Sequence, residues 1–541
     1  MANSFIVPPA VVLCTLNAKY IHASLGLRYL LANMGELRPQ TSLREFTIGR
    51  HVPELADELL ALLGEPQPGR VQVIGFGVYI WNVSQTCALV RLLKAARPAL
   101  KVVLGGPEVS HEQDQQAIVA LADHVITGWG DVTFPKLCRA LLQGPQPLMK
   151  VIAGEQPPID QIALPYTEYS DADLAHRVLY VEASRGCPFK CEFCLSALDK
   201  TAWAFELEPF LAELDRLYQR GARQFKFVDR TFNLKIEASA RILQFFLDRL
   251  PAAPLAPDLF VHFELIPDQL PDRLKALIAQ FPPGVLQFEI GIQSFNPEVQ
   301  QRISRRQDHA KTLANLTWLV TQSQAHLHTD LIFGLPGETL ASFAQGFDTL
   351  YALHPHEIQL GLLKRLRGTP IARHTEAWGM VYDAEPPYAV QQTSVLSQDE
   401  VQRFVRSARY WDLVANSGRF SRTLGLLMQG PSPFAAFLAW SDWLWQRSGQ
   451  TSGLSPEALV DHLFDYLTDR SAQPGQDPQA VRAAVLDALL ADYLASGARA
   501  RPRSLRSVLP AQGPPAARSG AGLAPRQQQH GQGANTSMIT P

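Results

Sequence analysis

The sequence predicts an α/β protein with a doubly wound parallel sheet, then a six-unit partial (β/α) barrel, a helical module and a disordered tail. Three observations support this prediction. The chain has 541 residues, which is too long for one ordinary domain. Strand-like and helix-like segments alternate in two successive runs. From about residue 370 the alternation stops, and the pattern becomes helical.

The first run covers residues 9–144 and contains five strand-like segments, AVVLCTL, SLREFTI, VQVIGFGVYI, KVVLGG and HVITGWG. Helical segments separate them, so we expect a parallel sheet covered on both faces, in a domain spanning residues 1–148. Its ligand would lie beyond the carboxyl ends of the strands. Glycines stand at several of these ends, where they permit close approach of a ligand or merely make tight turns. They are Gly75, Gly77, Gly105, Gly106, Gly128 and Gly130.

Residues 149–177 are rich in prolines and acids and are predicted to be a linker. The second run, residues 178–395, has six strand candidates: RVLYVEAS, QFKFVD, LFVHFEL, VLQFEIGIQS, HLHTDLIFGL and EIQLGLLKRL. Six βα units are fewer than the eight of a closed barrel, so we expect an open one. Active residues should again lie at the carboxyl ends of its strands.

Residues 396–498 have helical spacing, and residues 499–541 are rich in Pro, Gly, Ala and Gln. This last segment carries six Arg but no Lys, Asp or Glu, and it has too little apolar surface to fold by itself. We expect a disordered tail. A basic tail that binds nucleic acid or an acidic protein is the alternative.

Charge and composition argue against nucleic-acid-binding, membrane-spanning and disulfide-bonded classes of protein. The formal charge of −2 gives no general attraction to nucleic acid or anionic membranes. The N-terminus has no basic region before its apolar run, and no stretch of about 18 apolar residues follows. We therefore predict a cytoplasmic protein that neither spans a membrane nor binds nucleic acid, with its six cysteines kept as thiols.

Three of those cysteines, Cys187, Cys191 and Cys194, stand in the stretch SRGCPFKCEFCLS, directly after the first strand of the second run. A structural zinc site needs a fourth ligand, and no Cys or His stands nearby to supply it. Thiolates also suit iron–sulfur clusters. Three thiolates on a cubane cluster leave one iron open to a small molecule.

This spacing, with Phe193 before the last cysteine, resembles the radical S-adenosylmethionine (radical SAM) enzymes. The resemblance implies that Cys187, Cys191 and Cys194 hold a 4Fe–4S cluster whose open iron binds S-adenosylmethionine. The segments FKFVDRTFN, VHFEL, EIGIQSFN and DLIFGLPGET resemble the binding site of the coproporphyrinogen dehydrogenase branch. The S-adenosylmethionine contacts implied in this way are Phe193, Asp229, Arg230, Thr231, Glu264, Gln293, Arg305 and Asp330. Many members have a glycine pair at the position of Asp229-Arg230-Thr231. Helix capping or pairing with arginines is the alternative for Glu264 and Asp330. For Arg305 the alternative is a solvated helix face, and for Gln293 it is a contact that holds a turn.

A doubly wound domain before such a core resembles the cobalamin-binding subclass, in a subgroup with a helical C-terminal domain of unassigned function. The segments LNAKYIHASLGLRYL, LGGPEVS and ITGWGDVTFPKL carry this resemblance. The cobalamin contacts it implies are Asn17, Gly75, Gly105, Gly106, Pro107, Gly128 and Gly130. The Asp-x-His-x-x-Gly motif that supplies a cobalt ligand in many members is missing. His22 is expected to be structural, and the alternative is a domain that holds no cobalamin.

The resemblance implies an enzyme that cleaves S-adenosylmethionine to a 5′-deoxyadenosyl radical and transfers a methyl group from methylcobalamin to an unactivated carbon. A reducing partner such as flavodoxin or ferredoxin would supply electrons, and the substrate would be a small molecule or peptide. The alternatives are cobalamin-dependent cyclisation or rearrangement, and a non-enzymatic sensor. Methylthiotransferase-like chemistry would need a second cluster on Cys14, Cys87 and Cys138, which we expect to be core residues instead.

Overall fold

The computed structural model describes residues 8–199, 201–251, 258–469 and 477–509. These residues form two compact units. Unit 1 consists of Met1–Arg230, Lys364–Ala372 and Asp383–Ala389, and unit 2 consists of Thr231–Leu363, Arg373–Tyr382 and Val390–Pro541.

The strands of the described chain are β1 (Val11–Asn17), β2 (Thr41–Thr47), β3 (Val73–Gly77), β4 (Lys101–Gly105), β5 (His124–Thr127), β6 (Val151–Ala153), β7 (Leu179–Val181), β8 (Ser184–Gly186), β9 (Ala202–Ala204), β10 (Gln224–Phe227), β11 (Phe260–Leu265), β12 (Leu286–Gln293), β13 (His326–Phe333), β14 (Glu357–Leu362), β15 (Val381–Tyr382) and β16 (Val390–Gln392). Its α-helices are α1 (Leu25–Ala32), α2 (Val52–Leu63), α3 (Val83–Ala96), α4 (Ala117–Leu121), α5 (Thr133–Gln143), α6 (Asp171–His176), α7 (Leu207–Gln219), α8 (Ile236–Leu247), α9 (Asp272–Ile278), α10 (Pro297–Arg302), α11 (His309–Gln322), α12 (Leu340–Tyr351), α13 (Gln398–Val414), α14 (Ser421–Leu427), α15 (Pro433–Ser448), α16 (Pro456–Asp469) and α17 (Pro478–Ala495).

The first sheet of unit 1 is parallel, with the strand order β2-β1-β3-β4-β5-β6. The chain leaves β1 for β2 and then returns to the other side of β1 with β3, so the strand order reverses between β1 and β3. In open sheets of this kind a ligand binds beyond the carboxyl ends, at such a reversal. The doubly wound sheet predicted from the sequence is confirmed.

Every residue of β1 is buried, because helices cover both faces of the sheet. Cys14 packs in one apolar cluster with side chains from α2, α3 and α4. Leu13 packs in the other cluster with side chains from α1 and α5. Successive residues of a strand point to opposite faces, so β1 contributes to both cores.

The predicted linker, residues 149–177, contains regular structure. Val151–Ala153 adds β6 to the edge of the first sheet, so that sheet has one more strand than the five predicted. Further on, Ser170 and Asp173 form a capping box that starts α6. β6 is only three residues long, Val-Ile-Ala, and is mostly exposed, so it lacks the longer pattern from which the other strands were predicted.

All six strand candidates of the second run are strands. In unit 1, β7 and β10 pair in parallel. In unit 2, β11, β12, β13 and β14 pair in parallel in chain order. Helices separate consecutive strands, as in the βα pattern predicted from the sequence.

The C-terminal part of unit 2 is helical, as predicted. Trp411 of α13 donates a 2.8 Å hydrogen bond from Nε1 to the carbonyl oxygen of Ile358 in β14. Asp348 of α12 accepts hydrogen bonds from Ser432 Oγ and from Phe434 N at the start of α15. The first contact joins α13 to β14, and the second joins α15 to α12.

The predicted tail begins within packed chain. Arg503–Leu505 form a turn of 3-10 helix in which Leu505 is fully buried and Ser504 is bonded to Asp461. The ordered chain therefore continues past the boundary predicted at residue 499, because the side chain of Leu505 is buried against the helical domain. Residues 510–541 lie outside the described residues. No described helix combines the length and the apolar character needed to cross a membrane.

Candidate functional site

A cavity of about 320 Å³ opens at the carboxyl ends of the first sheet. Its floor is rich in glycine backbone, because the ends of β3, β4 and β5 carry six glycines that line it: Gly75, Gly77, Gly105, Gly106, Gly128 and Gly130. Gly106 has a φ of 108°, and a Cβ at this position would lie 2.5 Å from the carbonyl oxygen of Val78. Only glycine fits so close an approach. The six glycines thus form a cradle in which a ligand can approach the strand ends closely, as the predicted corrin would.

The rest of the cavity wall is aromatic and charged. Arg185 ion-pairs with Asp131 at 2.9 Å and with Glu182 at 2.8 Å. Its guanidinium also lies 4.5 Å from the centre of the Tyr29 ring and 4.8 Å from that of Trp129. All five side chains line the cavity. Arg185 stands on β8, so the strand that leads into the cysteine loop forms part of this wall.

The cysteine loop is closed at its base by a short antiparallel pairing of β8 with β9. Cys187 continues it by donating a backbone hydrogen bond to the carbonyl oxygen of Asp199. Within the loop, the amide of Cys194 donates to the carbonyl oxygen of Cys191 at 3.1 Å. Cys191 is buried, whereas Cys187 and Cys194 are half-buried, as is Phe193. The backbone thus fixes three cysteines on one loop.

The donor set of this loop fits a cubane cluster better than a single ion. Among the described residues, no three His, Cys, Asp or Glu side chains converge as ligands of one metal ion do. A 4Fe–4S cubane takes each thiolate on a different iron, so its cysteines need not meet at one point. The ligation of such a cluster by Cys187, Cys191 and Cys194 remains a prediction.

The other three cysteines do not form a second group. Cys14 lies in the apolar cluster on one face of the first sheet, with Cys87 packed at its edge. Cys138 lies in the cluster on the opposite face. Burial raises the pKa of the Cys14 and Cys138 thiols far above the ordinary value, which disfavours the thiolates that a metal needs. This arrangement supports their interpretation as core residues.

Asp229, at the end of β10, is engaged by the protein itself. Its carboxylate accepts hydrogen bonds from Ala183 N at 2.9 Å and from Ser184 Oγ at 2.5 Å. Burial raises its pKa to about 7, although these hydrogen bonds oppose the shift. The contacts place Asp229 as a support for β8 and therefore for the cysteine loop.

In unit 2, three predicted residues meet around Gly291 of β12. Arg305 donates a hydrogen bond to the carbonyl oxygen of Gly291, and Asp330 lies opposite Gly291 in the register of β13. Gln293 follows a β-bulge, has a φ of 72°, and carries a buried Oε1 that has no hydrogen-bond partner. A non-glycine residue in this conformation is strained, and strain of this kind concentrates at functional sites. An orphaned acceptor of this kind fits a ligand that supplies a donor.

A row of polar side chains continues from this point across the same face of the unit 2 sheet. Glu264, Glu289, His328 and Glu357 are in register on four adjacent strands. Nε2 of His328 lies 3.2 Å from Oδ1 of Asp330, and Nδ1 lies 3.6 Å from Oε2 of Glu357. Burial alone would lower the pKa of His328, but the two carboxylates raise it to about 10. The row therefore carries a charged imidazolium among carboxylates.

Other predicted residues lie elsewhere. Asn17 is tied to Glu45 and to the carbonyl oxygen of His22, and it does not line the cavity described above. Pro107 begins a 3-10 helix behind the glycine floor. Arg230 is exposed in unit 1, and Thr231 is buried in unit 2.

Sequence reasoning missed the charged cavity wall and most of the polar row. Arg185 stands two residues before the first cysteine of the motif, and Trp129 lies between two of the predicted glycines. In β13, His326, His328 and Asp330 alternate with the buried Leu327, Thr329 and Leu331. This period of two was the signal for a polar face.

Comparison with protein families agrees with this geometry. Residues 11–138 match the B12 binding domain, and residues 181–350 match the radical SAM superfamily. The chain is a radical SAM protein with a B12-binding domain. Residues 376–512 match a protein family of unknown function, DUF4080. The radical SAM match begins at the end of β7 and includes the cysteine loop, and the B12 match includes the whole glycine floor.

Several known proteins are similar to this radical SAM protein. It is 25% identical over 445 residues to the 2-(S-pantetheinyl)-carbapenam-3-carboxylate methyltransferase of Streptantibioticus cattleyicolor, covering 72% of this chain and 63% of that protein. It is 22% identical to the cobalamin-dependent radical SAM methyltransferase TokK of Streptomyces tokunonensis, covering 77% and 63%. The chain thus spans less than two thirds of the length of these relatives. The structure of the cobalamin-dependent S-adenosylmethionine radical enzyme OxsB, with aqua-cobalamin and S-adenosylmethionine bound, superposes with a TM-score of 0.56 at 12% identity, covering 92% of this chain and 80% of that one.

These matches confirm the predicted order of a cobalamin-type domain, a radical SAM core and a C-terminal domain of unassigned function. They also confirm the cofactor classes of the radical SAM protein, which are S-adenosylmethionine with its iron–sulfur cluster, and cobalamin. The individual contact residues remain predictions, supported by the geometry given above.

Proposed function

We propose that this radical SAM protein is a cobalamin-dependent methyltransferase that acts on an unactivated carbon. One observation carries the proposal: Arg185, two residues before Cys187, lines the same cavity as the glycines at the ends of β3, β4 and β5. The cluster loop and the corrin cradle are therefore neighbours within unit 1. The two curated relatives described above are methyltransferases, which supports the same reaction class.

Each site has residues suited to its ligand. Cys187, Cys191 and Cys194 would hold the cluster, and Arg185 would fix the loop that carries them. Gln293 and its neighbours around Gly291 would orient S-adenosylmethionine, with the orphaned Oε1 accepting a hydrogen bond from it. Glu264 would bind hydroxyl groups of the ligand from the end of β11. When bound, the cluster supplies an electron for reductive cleavage of S-adenosylmethionine, and cobalamin carries a transferable methyl group.

The chain's own contribution is orientation and the exclusion of water. The cavity at the sheet end is lined mainly by glycine backbone and apolar side chains, and its ionic groups are paired with one another. Such an environment favours radical and methyl-transfer chemistry because it keeps water from competing. The substrate would be a small molecule or a peptide, and a one-electron donor such as flavodoxin or ferredoxin would serve as reductant.

The experiment is anaerobic turnover with dithionite and S-adenosylmethionine, using protein reconstituted with iron, sulfide and cobalamin. We expect the wild type to form 5′-deoxyadenosine even without substrate, and Cys191→Ala to lose both iron and product. Cys87→Ser is the matched control and should keep about four irons per chain. Undiminished 5′-deoxyadenosine from Cys191→Ala would contradict the cluster assignment.

Three alternatives predict different results in the same assay. A methylthiotransferase-like protein with a second cluster would bind about eight irons per chain, and Cys87→Ser would lower that number. A cobalamin or cluster sensor would load both cofactors but form no 5′-deoxyadenosine. A rearranging enzyme would form it without consuming a second S-adenosylmethionine for methylation.

A further inference from the structure

A short segment of unit 1, Lys364–Ala372, contacts two loops that are more than 70 residues apart in sequence. We call this segment the strap. In sequence it follows β14, and it is itself tied down by a hydrogen bond from Arg365 N to the carbonyl oxygen of Tyr388. The strap reaches the loop behind the glycine floor at one end and the cysteine loop at the other.

At the end nearer the glycine floor, arginines of the strap donate hydrogen bonds to two glutamates, and we call this group the clamp. Glu108 is 4% exposed, and its Oε1 accepts hydrogen bonds from Arg367 Nε at 3.0 Å and from Tyr388 OH at 2.5 Å. Glu112 accepts from Arg365 and Arg367, each at 3.0 Å. Hydrogen bonds between buried charged groups are strong and have defined geometry, so the clamp fixes this loop.

The clamped loop is the direct continuation of the cavity floor. Glu108 lies in the 3-10 helix Pro107–Val109, which starts at Gly106. Gly368 of the strap has a φ of 78°, and a Cβ there would collide with the ring of His111. The backbone of the strap therefore packs closely against the His111 ring, in addition to the ion pairs.

At the other end, the strap is bonded to the cysteine loop. The amide of Ile371 donates a 3.0 Å hydrogen bond to the carbonyl oxygen of Glu192. Glu192 lies between Cys191 and Cys194 and is 2% exposed, and Ile371 is fully buried. Only three residues separate Arg367 from Ile371, so a short piece of chain joins the two loops.

We propose that the strap couples the two cofactor sites, so that cluster loading at the cysteine loop tightens cobalamin binding at the glycine floor, and the reverse. The positioning residues are Arg367 of the strap and Tyr388, which is bonded to both Arg367 and Glu108. The proposal builds on the proposed function, because it assumes that both cofactors bind. Coupling of this kind is reciprocal, and its size for two sites joined by a fixed element is commonly fivefold or more.

The test is a titration of the full-length chain with aquacobalamin under anaerobic conditions, followed by absorbance, in cluster-free and in cluster-loaded protein. We expect the wild type to bind about fivefold more tightly when the cluster is present. Arg367→Met keeps the aliphatic stem but removes the charge. It should weaken binding about tenfold and reduce the effect of the cluster to less than about twofold, with iron and sulfide content unchanged.

Arg38→Met is the matched control, because Arg38 also belongs to unit 1 and pairs with a glutamate, Glu168, at 2.6 Å. It should leave both affinities unchanged.

Tyr388→Phe removes one hydroxyl and keeps the ring, so it tests the contact with Glu108 even if Arg367→Met folds poorly. It should show the same loss of cobalamin affinity, but a smaller one. If the cluster changes cobalamin affinity equally in the wild type, Arg367→Met and Tyr388→Phe, the proposed coupling through the strap is wrong. The proposed function would not be affected by this result. A wild type that binds no cobalamin would overturn both.

Discussion

Arg185 donates a 2.9 Å hydrogen bond to the carboxylate of Asp131, joining the strand before the cysteine loop to the loop after β5. Glu182 completes the group, and the guanidinium also packs on aromatic rings of the cavity wall. This ion pair makes the position of the cysteine loop depend on the doubly wound sheet.

Arg185→Gln should destabilise the protein and weaken cobalamin binding. Removing the guanidinium leaves the carboxylates of Asp131 and Glu182 buried without their cation, which costs about 3 kcal/mol in the free energy of unfolding. Urea unfolding of the cofactor-free chain, followed by tryptophan fluorescence, measures this cost. If the double variant Arg185→Gln/Asp131→Asn is as unstable as the sum of the two single variants, the two residues do not interact as described.

Gly291→Ala should weaken S-adenosylmethionine binding about tenfold without affecting the cluster. A Cβ at Gly291 would lie 2.5 Å from Nε2 of Gln293 and 3.3 Å from the guanidinium of Arg305, so both side chains must shift. Gly361→Ala in β14 is the control, because a Cβ there meets only ordinary contacts at 3.4 Å or more. Equilibrium dialysis of reconstituted protein gives both dissociation constants, and equal values for the two variants would exclude Gly291 from the site.

His328 should make stability depend on pH. The ordinary histidine pKa of 6.5 is raised to about 10 in the folded protein, because the carboxylates of Asp330 and Glu357 outweigh the effect of burial. The stabilisation is therefore complete below pH 6.5 and is lost as the pH rises toward 10. Glu357 has the opposite pH dependence. Although burial acts to raise its pKa, the contacts with His326 and His328 lower the pKa of Glu357. The stabilisation from Glu357 is therefore present above about pH 4.5 and is lost in acid.

The measurement is the thermal unfolding midpoint of wild type and His328→Gln between pH 6.5 and pH 9.5. We expect the wild type to lose several degrees more than the variant over this range, because glutamine keeps hydrogen-bonding capacity but does not titrate. Parallel curves for the two proteins would contradict the proposed protonation of His328.

Cobalamin should bind to this radical SAM protein without a histidine ligand to cobalt. Within the described chain, no histidine lines the cavity. His22, the predicted structural histidine, is instead 2.7 Å from the hydroxyl of Tyr180 through Nδ1. The electron paramagnetic resonance spectrum of bound cob(II)alamin should therefore lack superhyperfine splitting from a protein nitrogen. A nitrogen triplet that disappears in His22→Ala would show that this histidine does coordinate.

The sequence was sufficient to predict features that depend on residues close together in the chain. Cys187, Cys191 and Cys194 stand within eight residues, so their grouping on one loop needed no knowledge of the fold. Alternation of apolar segments likewise predicted the strands of both runs, since period and length distinguish strands from helices. The short strand β6 escaped detection because three mostly exposed residues show no such period.

The contacts between residues that are far apart in the chain could not be predicted from the sequence in this way. Arg367 and Glu108 are 259 positions apart. Glu108 stands in the segment LGGPEVS, but nothing in that segment indicates Arg367 as its partner. Asp229 resembled a ligand contact, yet its hydrogen bonds support β8.

The sequence by itself determined the domain types, the cluster cysteines and the glycine-rich strand ends, because each depends on residues that are close together in the chain. The tertiary structure decided that Cys14 and Cys138 lie on opposite faces of one sheet, that Gln293 is strained with an orphaned acceptor, and that one strap contacts both the cysteine loop and the loop after β4. These relationships depend on how distant segments pack, and packing is a property of the whole fold that local patterns do not encode.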